Sequence, residues 1–361
     1  MIAMAELVID QDMVEAAVVG GAVLGGGGGG SMDWGRELGQ LAVRLGTVRL
    51  VNIDNINAED TIVTVSAVGA PAAKQALVQP VGYIRAVELL MEQAPIIADG
   101  LITNECGGTA TINGWLQSAV LGIPVIDAPC NGRAHPTGAM GSMGLHAWKD
   151  YVSYQAAAGG DPEQGRYLEL VVQGEIERVA TLVRQAAVQA GGLVAVARNP
   201  IAAGYVKENG APGAIRQSIM LGQAMLAVQS KGGLAVIEAA AEALQGQIVE
   251  IGQVEEVELV TAAGFDSGRI MINTLELTFW NEYMTLEREG QRLGTFPDLI
   301  ATLDKSTGLP LSSADIREQQ EVAILYVPRD KLLLGAGMFS AELLAQAEPV
   351  VNKQLVNYLQ Q

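Results

Sequence analysis

The sequence predicts a two-domain α/β protein: a layered N-terminal α/β domain with a mostly parallel sheet over residues 1–245, then a smaller β-barrel-like domain over 246–361. Three observations predict it. The length, 361 residues, is more than a single hydrophobic core usually holds. Between residues 96 and 127 two short apolar runs flank a helical one, the signature of a strand–helix–strand unit with a right-handed crossover. Beyond Gly246 the chain becomes strand-like runs cut by Gly, Asp and Pro turns, which suits a small barrel or sandwich.

The elements follow in order. Asp10 or Asp12 caps a helix of apolar residues at helical spacing that reaches Leu24, and six glycines, 25–30, end it. Ser31 or Asp33 opens a second helix to Leu45, stopped by Gly46. Residues 47–53 and 61–68 read as strands, the second closed by Gly69-Ala70-Pro71. Pro80 precedes a helix over 83–93. A strand over 96–103 leads into Glu105-Cys106-Gly107-Gly108, and Thr109 or Thr111 opens a helix to Leu121. The next strand, 123–127, runs into Ala128-Pro129-Cys130-Asn131-Gly132-Arg133. Further strands are expected over 167–172 and 193–197, with helices over 175–190 and 214–229. The C-terminal part reads as strands over 247–251, 254–261, 269–275 and 322–327.

Composition narrows the function. Forty acidic against twenty-two basic residues give a net charge of −18, which repels phosphate backbones and anionic membrane surfaces. Nucleic acid and membrane are therefore not expected partners; a small-molecule substrate is, and so is a homo-oligomer. The N-terminus lacks the basic region of a secretory signal, and no apolar run approaches the roughly 20 residues that span a bilayer. With two cysteines in so large a chain, reduced thiols and a cytoplasmic location are expected.

The chemistry-bearing residues cluster on two loops. Cys106 follows a strand and precedes a helix, where unpaired amides and the helix dipole favour a thiolate; it fits equally a small buried side chain filling a tight turn. Cys130 lies beyond the next strand, among Asp127, Asn131, Arg133 and His135. Neighbouring strand ends lie ~5 Å apart, so both loops are expected to open on one rim. Two chemistries use such a group. A thiolate attacks an electrophilic carbon while His135, Asp127 or Glu105 moves protons and Arg133 or backbone amides hold negative charge. Alternatively, Cys106, Cys130 and His135 bind zinc, which activates water. His146 reads as structural. The glycine run lacks the Lys-Ser/Thr of a phosphate loop and follows a helix. What remains is a backbone nest, Gly27, Gly28, Gly29 and Gly30, capable of holding an anion or a ring oxygen together with Gly107 and Gly108. Glu282, after Phe279-Trp280-Asn281, is the expected contribution of the second domain.

At these residues the sequence resembles the S-methyl-thiohydantoin desulfurase-like family over nearly its whole length. The resemblance rests on the glycine run, Val68-Gly69-Ala70-Pro71, Glu105-Cys106-Gly107-Gly108, Gly122-Ile-Pro-Val-Ile-Asp127 with Gly132-Arg133-Ala134, Asn281-Glu282, and Pro297-Asp-Leu-Ile300 before Thr307-Gly308. It implies the same two-domain plan and a hydantoin-type ring substrate whose S-methylated carbon loses a thiol when water adds. The nucleophile is then expected to be Cys106 or Cys130; alternatively the chemistry uses Glu105, Asp127 and Arg133 and the cysteines are incidental. A non-catalytic accessory subunit of a hydantoinase- or oxoprolinase-type system is a third reading.

Overall fold

The computed structural model describes residues 5–69, 78–262 and 264–359, so the Ala70-Pro71 part of the expected turn lies outside the described residues. Eight strands, β1 (Glu6–Val8), β2 (Arg49–Val51), β3 (Thr61–Gly69), β4 (Gly100–Thr103), β5 (Val125–Ile126), β6 (Ser153–Gly159), β7 (Leu168–Gly174) and β8 (Leu193–Ala202), form one sheet in the order β1-β2-β5-β4-β3-β8-β6-β7. The neighbours β2, β5, β4 and β3 run parallel, as the crossover pattern predicts. The others pair antiparallel: β8 returns along β3 from Thr61↔Ala202 to Gly69↔Leu193, and β6–β7 is a hairpin. The mostly parallel sheet is thus corrected to a mixed one. Hydrophobic periodicity reports which residues face a core, but not which strand lies alongside which, so the direction of β8 left no local trace.

Local chemistry explains most helix boundaries. Asp10 Oδ1 accepts the Met13 amide at 2.8 Å and starts α1 (Gln11–Leu24); Ser31 Oγ does the same for Trp34 at 3.4 Å in α2 (Met32–Leu45). Pro80 occupies the first turn of α3 (Pro80–Gln93). The helix expected from residue 109 is shorter: a 3-10 turn, Ala110–Ile112, is separated from α4 (Trp115–Leu121) by Gly114 in the left-handed region. Then come α5 (Ile176–Gln189), α6 (Ala203–Asn209), α7 (Ala214–Ala227) and α8 (Gly233–Ala243). Helices α1 and α7 touch backbone to backbone. A Cβ on Gly20 would lie 1.9 Å from Ser218 O, and one on Gly222 1.8 Å from Ala16 O.

The second sheet holds β9 (Gln247–Ala262), β10 (Phe265–Ile272), β11 (Leu275–Trp280), β12 (Glu282–Arg288), β13 (Gln291–Thr295), β14 (Leu299–Asp304), β15 (Pro310–Leu311) and β16 (Glu321–Val327), with α9 (Ala341–Val351) after it. Every pair is antiparallel, in the order β13-β12-β11-β10-β9-β16-β14-β15. Among the described residues the edges β13 and β15 are not paired with each other, so the antiparallel sheet is not closed into the expected barrel by hydrogen-bonded strands. The two runs expected over 247–261 are one strand, whose first half pairs with β16 and second half with β10. The second sheet shares a core with helices of the N-terminal domain, in which Val19, Val23 and Leu24 of α1 pack with Leu299, Leu303, Ala323 and Leu325. The glycine run leaves α1 at this junction. Among the described residues no helix is long and apolar enough to cross a membrane.

Candidate functional site

The glycine loop ties three segments together through its carbonyls. Gly26 O accepts the Tyr283 amide (2.8 Å), Gly27 O the Ser313 amide (2.9 Å), and Gly29 O the amides of Thr109 and Ala110 (3.1 and 3.0 Å). Two positions show why side chains are excluded. At Gly29, φ is +77° and a Cβ would lie 2.5 Å from Gly107 Cα; at Gly28 a Cβ would lie 1.9 Å from Glu282 Oε1. Gly107 and Gly108 belong to the same contact, since Cβ atoms there would strike Gly29 Cα at 2.3 Å and Gly30 O at 2.6 Å. The Gly29 amide faces the Glu282 carboxyl group. The nest expected to hold an anion or a ring oxygen is therefore filled by the protein's own carboxyl group.

Glu282 is delivered by a tight corner between β11 and β12. Asn281 adopts φ +56°, a left-handed conformation that Asn tolerates, and exchanges hydrogen bonds with Asp266: Asn281 N to Asp266 O at 2.6 Å, and Asp266 N to Asn281 Oδ1 at 2.9 Å. Glu282 is buried and its Oε2 has no hydrogen-bond partner among the described residues. Burial, then the nearby Glu105 carboxyl group, push its pKa well above the usual carboxylate range; Arg133 opposes them.

Arg133 lies opposite. Its Nη1 donates to the carbonyls of Pro297 (3.2 Å) and Asp298, its Nε donates to Ala134 O (3.2 Å), and the guanidinium sits 4.6 Å from the Phe296 ring centroid. Burial holds its pKa down to about 10, although Glu282, Asp298 and Glu105 favour the cation. Nη2 remains without a partner among the described residues, 2.7 Å from the position a Gly26 Cβ would take. An orphaned donor and an orphaned acceptor thus line one glycine cradle. Buried polar atoms are rarely left so, and each unpaired one costs about 1–3 kcal/mol.

Glu105 completes the group. Its side chain is 15% exposed, and with half-buried Gly28 and Gly29 and exposed Gly30 it marks the way in from solvent. Burial raises its pKa to about 7 against the lowering effects of the His135 amide, Arg198, Asn104 and Arg133. Its Oε2 accepts the His135 backbone amide at 3.2 Å. The His135 ring nitrogen Nε2 lies 3.3 Å from the same oxygen and 3.1 Å from Asn104 Nδ2. Burial, then Arg198, push the His135 pKa down to about 3, so the ring is neutral and the contact is not an ion pair. Arg198 donates to Asn104 Oδ1 at 2.7 Å. Asn104 and Arg198 escaped the sequence reading. The available signal was a lone arginine closing the apolar run 193–197.

Other predicted residues are placed differently. The thiols do not share a solvent-reachable cavity: both cysteines are fully buried, in separate apolar clusters. Cys106 Sγ donates to Ala214 O at 3.6 Å, and Cys130 Sγ lies 3.4 Å from Thr64 Oγ1. Burial pushes their pKa values up to about 12 and about 11, away from a thiolate. Asp127 accepts the amides of Ile215 (2.9 Å) and Arg216 (3.3 Å) at the start of α7, with Arg216 Nε 3.6 Å from its other oxygen; burial raises its pKa to about 6. Asn131 bridges Met140 O and the Gly335 amide. His146 lies 3.0 Å from Ser142 Oγ. The zinc alternative on Cys106, Cys130 and His135 is also corrected: the three engage separate neighbours, and among the described residues no group of three or more His, Cys, Asp and Glu is arranged to hold a metal ion. Surface depressions of about 630 Å3, beside Thr61, Met91 and Ile97, and about 620 Å3, beside Lys231 and Asp304, lie away from these residues.

Fold and site define a class: an α/β domain and an antiparallel sheet joined over a glycine loop that encloses two carboxyl groups and an arginine. The chain belongs to the S-Me-THD-like family, whose N-terminal domain model matches residues 12–168 and C-terminal domain model residues 174–337. Among solved structures it is similar to the crystal structure of a protein from Chromobacterium violaceum, with a TM-score of 0.69, 20% identity, and coverage of 94% of this chain and 96% of that one. At that identity the likeness shows the fold. No curated protein matches the chain.

Proposed function

We propose that the protein is a hydrolase that removes the sulfur substituent from an S-methyl-thiohydantoin-like ring, using a carboxyl pair in place of a cysteine. The family name supports the ring and the leaving group. The observation that carries the mechanism is the pairing of Glu105 and Glu282, both with raised proton affinity, across the cradle where Arg133 Nη2 and Glu282 Oε2 lack partners. The N–H and C=O groups of a cyclic amide supply what those two atoms lack. Two neighbouring buried acids do not ionise together easily, so one serves as base while the other stays an acid.

In the ligand-bound site Glu105, there ionised, takes a proton from water as the water oxygen bonds to the sulfur-bearing carbon, and neutral Glu282 protonates the adjacent ring nitrogen. In the collapse of the tetrahedral intermediate the C–S bond breaks and the thiolate takes the Glu105 proton. Glu282 recovers the hydroxyl proton as the carbonyl forms. Water and substrate become ring carbonyl and thiol, and both carboxyl groups return to their starting states. Arg133 holds a ring oxygen.

The test is thiol release from an S-methylated thiohydantoin by the purified chain, which also separates an enzyme from an accessory subunit. Wild type and a Cys106→Ala/Cys130→Ala variant are expected to turn over alike, while Glu105→Gln and Glu282→Gln lose at least a hundredfold, the range typical of a general acid or base. Full activity in both glutamine variants, or none in the cysteine variant once its fold is verified, overturns the carboxyl mechanism.

A further inference from the structure

The proposed chemistry gives no task to Arg198, a guanidinium 4% exposed on β8, opposite Thr64 of β3 and Gln155 of β6. Among the described residues no carboxylate forms an ion pair with it, and its Nε has no hydrogen-bond partner. Its Nη2 is engaged, donating to Asn104 Oδ1 at 2.7 Å. Guanidinium nitrogens only donate, so this bond decides the orientation of the Asn104 amide. Oδ1 is turned to Arg198, and Nδ2 therefore faces His135 Nε2 at 3.1 Å and Glu105 Oε2 at 3.4 Å. An amide nitrogen likewise only donates, so this contact favours a bare Nε2 and the ring proton on Nδ1, a buried atom with no hydrogen-bond partner among the described residues. Glu105 Oε2 lies 3.3 Å from that lone pair. Two lone pairs at this distance repel; a proton on Oε2 turns the contact into a hydrogen bond.

We propose that Arg198 is a positioning residue: through Asn104 it fixes His135 as the Nδ1–H tautomer, whose Nε2 lone pair accepts a hydrogen bond from protonated Glu105 in the resting site. The use of that proton in catalysis rests on the function proposed above, whereas the tautomer exists with or without turnover. The groups facing Glu105 are His135, Asn104 and Arg198 on one side, Arg133 and Glu282 on another, and the thiols of Cys106 and Cys130. The two arginines, the His135 amide and Asn104 favour the carboxylate; burial opposes it. A neutral histidine that accepts a hydrogen bond from Oε2, without taking the proton and becoming a cation, lets Glu105 stay protonated at rest and release the proton when a ligand displaces the contact.

The chain has two histidines, so the whole protein labelled with ring-15N histidine yields two imidazole patterns, assigned with a His146→Gln variant. Protonated and bare ring nitrogens resonate far apart, which reads each tautomer directly. His135 is expected to show protonated Nδ1 and bare Nε2 from pH 6 to 8. Asn104→Asp, which offers acceptors alone, shifts the ring proton to Nε2. Arg198→Gln gives a mixture of tautomers, and Arg198→Lys restores the single form at least in part. In each variant an unchanged His146 pattern shows that the fold is kept. With thiol release as the second readout, Arg198→Gln moves the pH profile of kcat/KM. Protonated Nε2 in the wild type overturns the proposal, and so does a bare Nε2 that persists in folded Asn104→Asp; should Arg198→Gln fail to fold, the asparagine variant still decides. An absent thiol release with the expected tautomer rejects the hydrolase and leaves the positioning role standing.

Discussion

Replacing Glu105 by Gln removes a titratable group and leaves its shape, so the effect on stability depends on pH in a way the site dictates. Burial raises the Glu105 pKa from 4.5 to about 7. A carboxyl group that holds its proton more tightly folded than unfolded stabilises the fold fully below pH 4.5 and loses that contribution as pH rises to about 7. A shift of this size corresponds to about 3 kcal/mol, an upper bound because Glu282 shares the burden of ionisation. The amide carries no such penalty. Relative to wild type, Glu105→Gln should therefore gain about 2–3 kcal/mol between pH 4.5 and 8 and level off above, whatever its fixed offset from lost hydrogen bonds. Groups that do not interact with Glu105 titrate alike in both proteins and cancel in the difference, while Glu282 loses a like-charged neighbour. Paired thermal melts at half-unit pH steps measure it; at 2–4 °C per kcal/mol the difference in Tm should widen by roughly 6 °C. A constant difference, or one that widens in favour of wild type, would mean that Glu105 is an ordinary paired carboxylate. The acid–base assignment would then fail.

Three further outcomes follow from the same geometry. Neither thiol should react with an aromatic disulfide reagent in the native protein, and both should react in denaturant; fast labelling of either native cysteine contradicts their sealed placement. Gly28→Ala sets a methyl group 1.9 Å from Glu282 Oε1 and should abolish thiol release, while Gly28→Ala added to Glu282→Ala should cost far less stability than Gly28→Ala alone; equal costs in both backgrounds refute the clash. Arg133→Met strands three carbonyl acceptors and removes the cation facing three carboxyl groups, and should destabilise by about 3–5 kcal/mol in denaturant melts at pH 8, less at pH 5 where Glu105 is protonated. A cost independent of pH refutes the electrostatic part.

Much of the fold is written locally. The caps at Asp10 and Ser31, the prolyl first turn at Pro80 and the stops at Gly46 and Gly122 act within a few residues of themselves and were legible for that reason. So was the family, through short motifs spread along the chain. Strand neighbours were not legible. β6 is rich in alanine, which carries little β signal, and the return of β8 along β3 is a pairing across more than 120 residues. The C-terminal strands could be named, yet their open order depends on β9 exchanging partners midway.

The site divides the same way. Glu105, Arg133 and His135 were recognisable as polar residues on glycine-containing loops, and Glu282 as an acid directly after Phe279-Trp280-Asn281, because chemistry-bearing side chains stand out from an apolar sequence. Sequence alone also made Cys106 and Cys130 look reactive, since their position after strands says nothing about the side on which the sulfur is buried. Tertiary packing decided that: it sealed the thiols in separate cores, assigned Asp127 to the start of α7, and filled the glycine nest with Glu282 from the other domain. Residue types set which protons this protein can hold. Desolvation and neighbours more than a hundred residues away along the chain set which ones it does hold, because the energy of a buried charge depends on everything around it and on nothing that adjacency in sequence records.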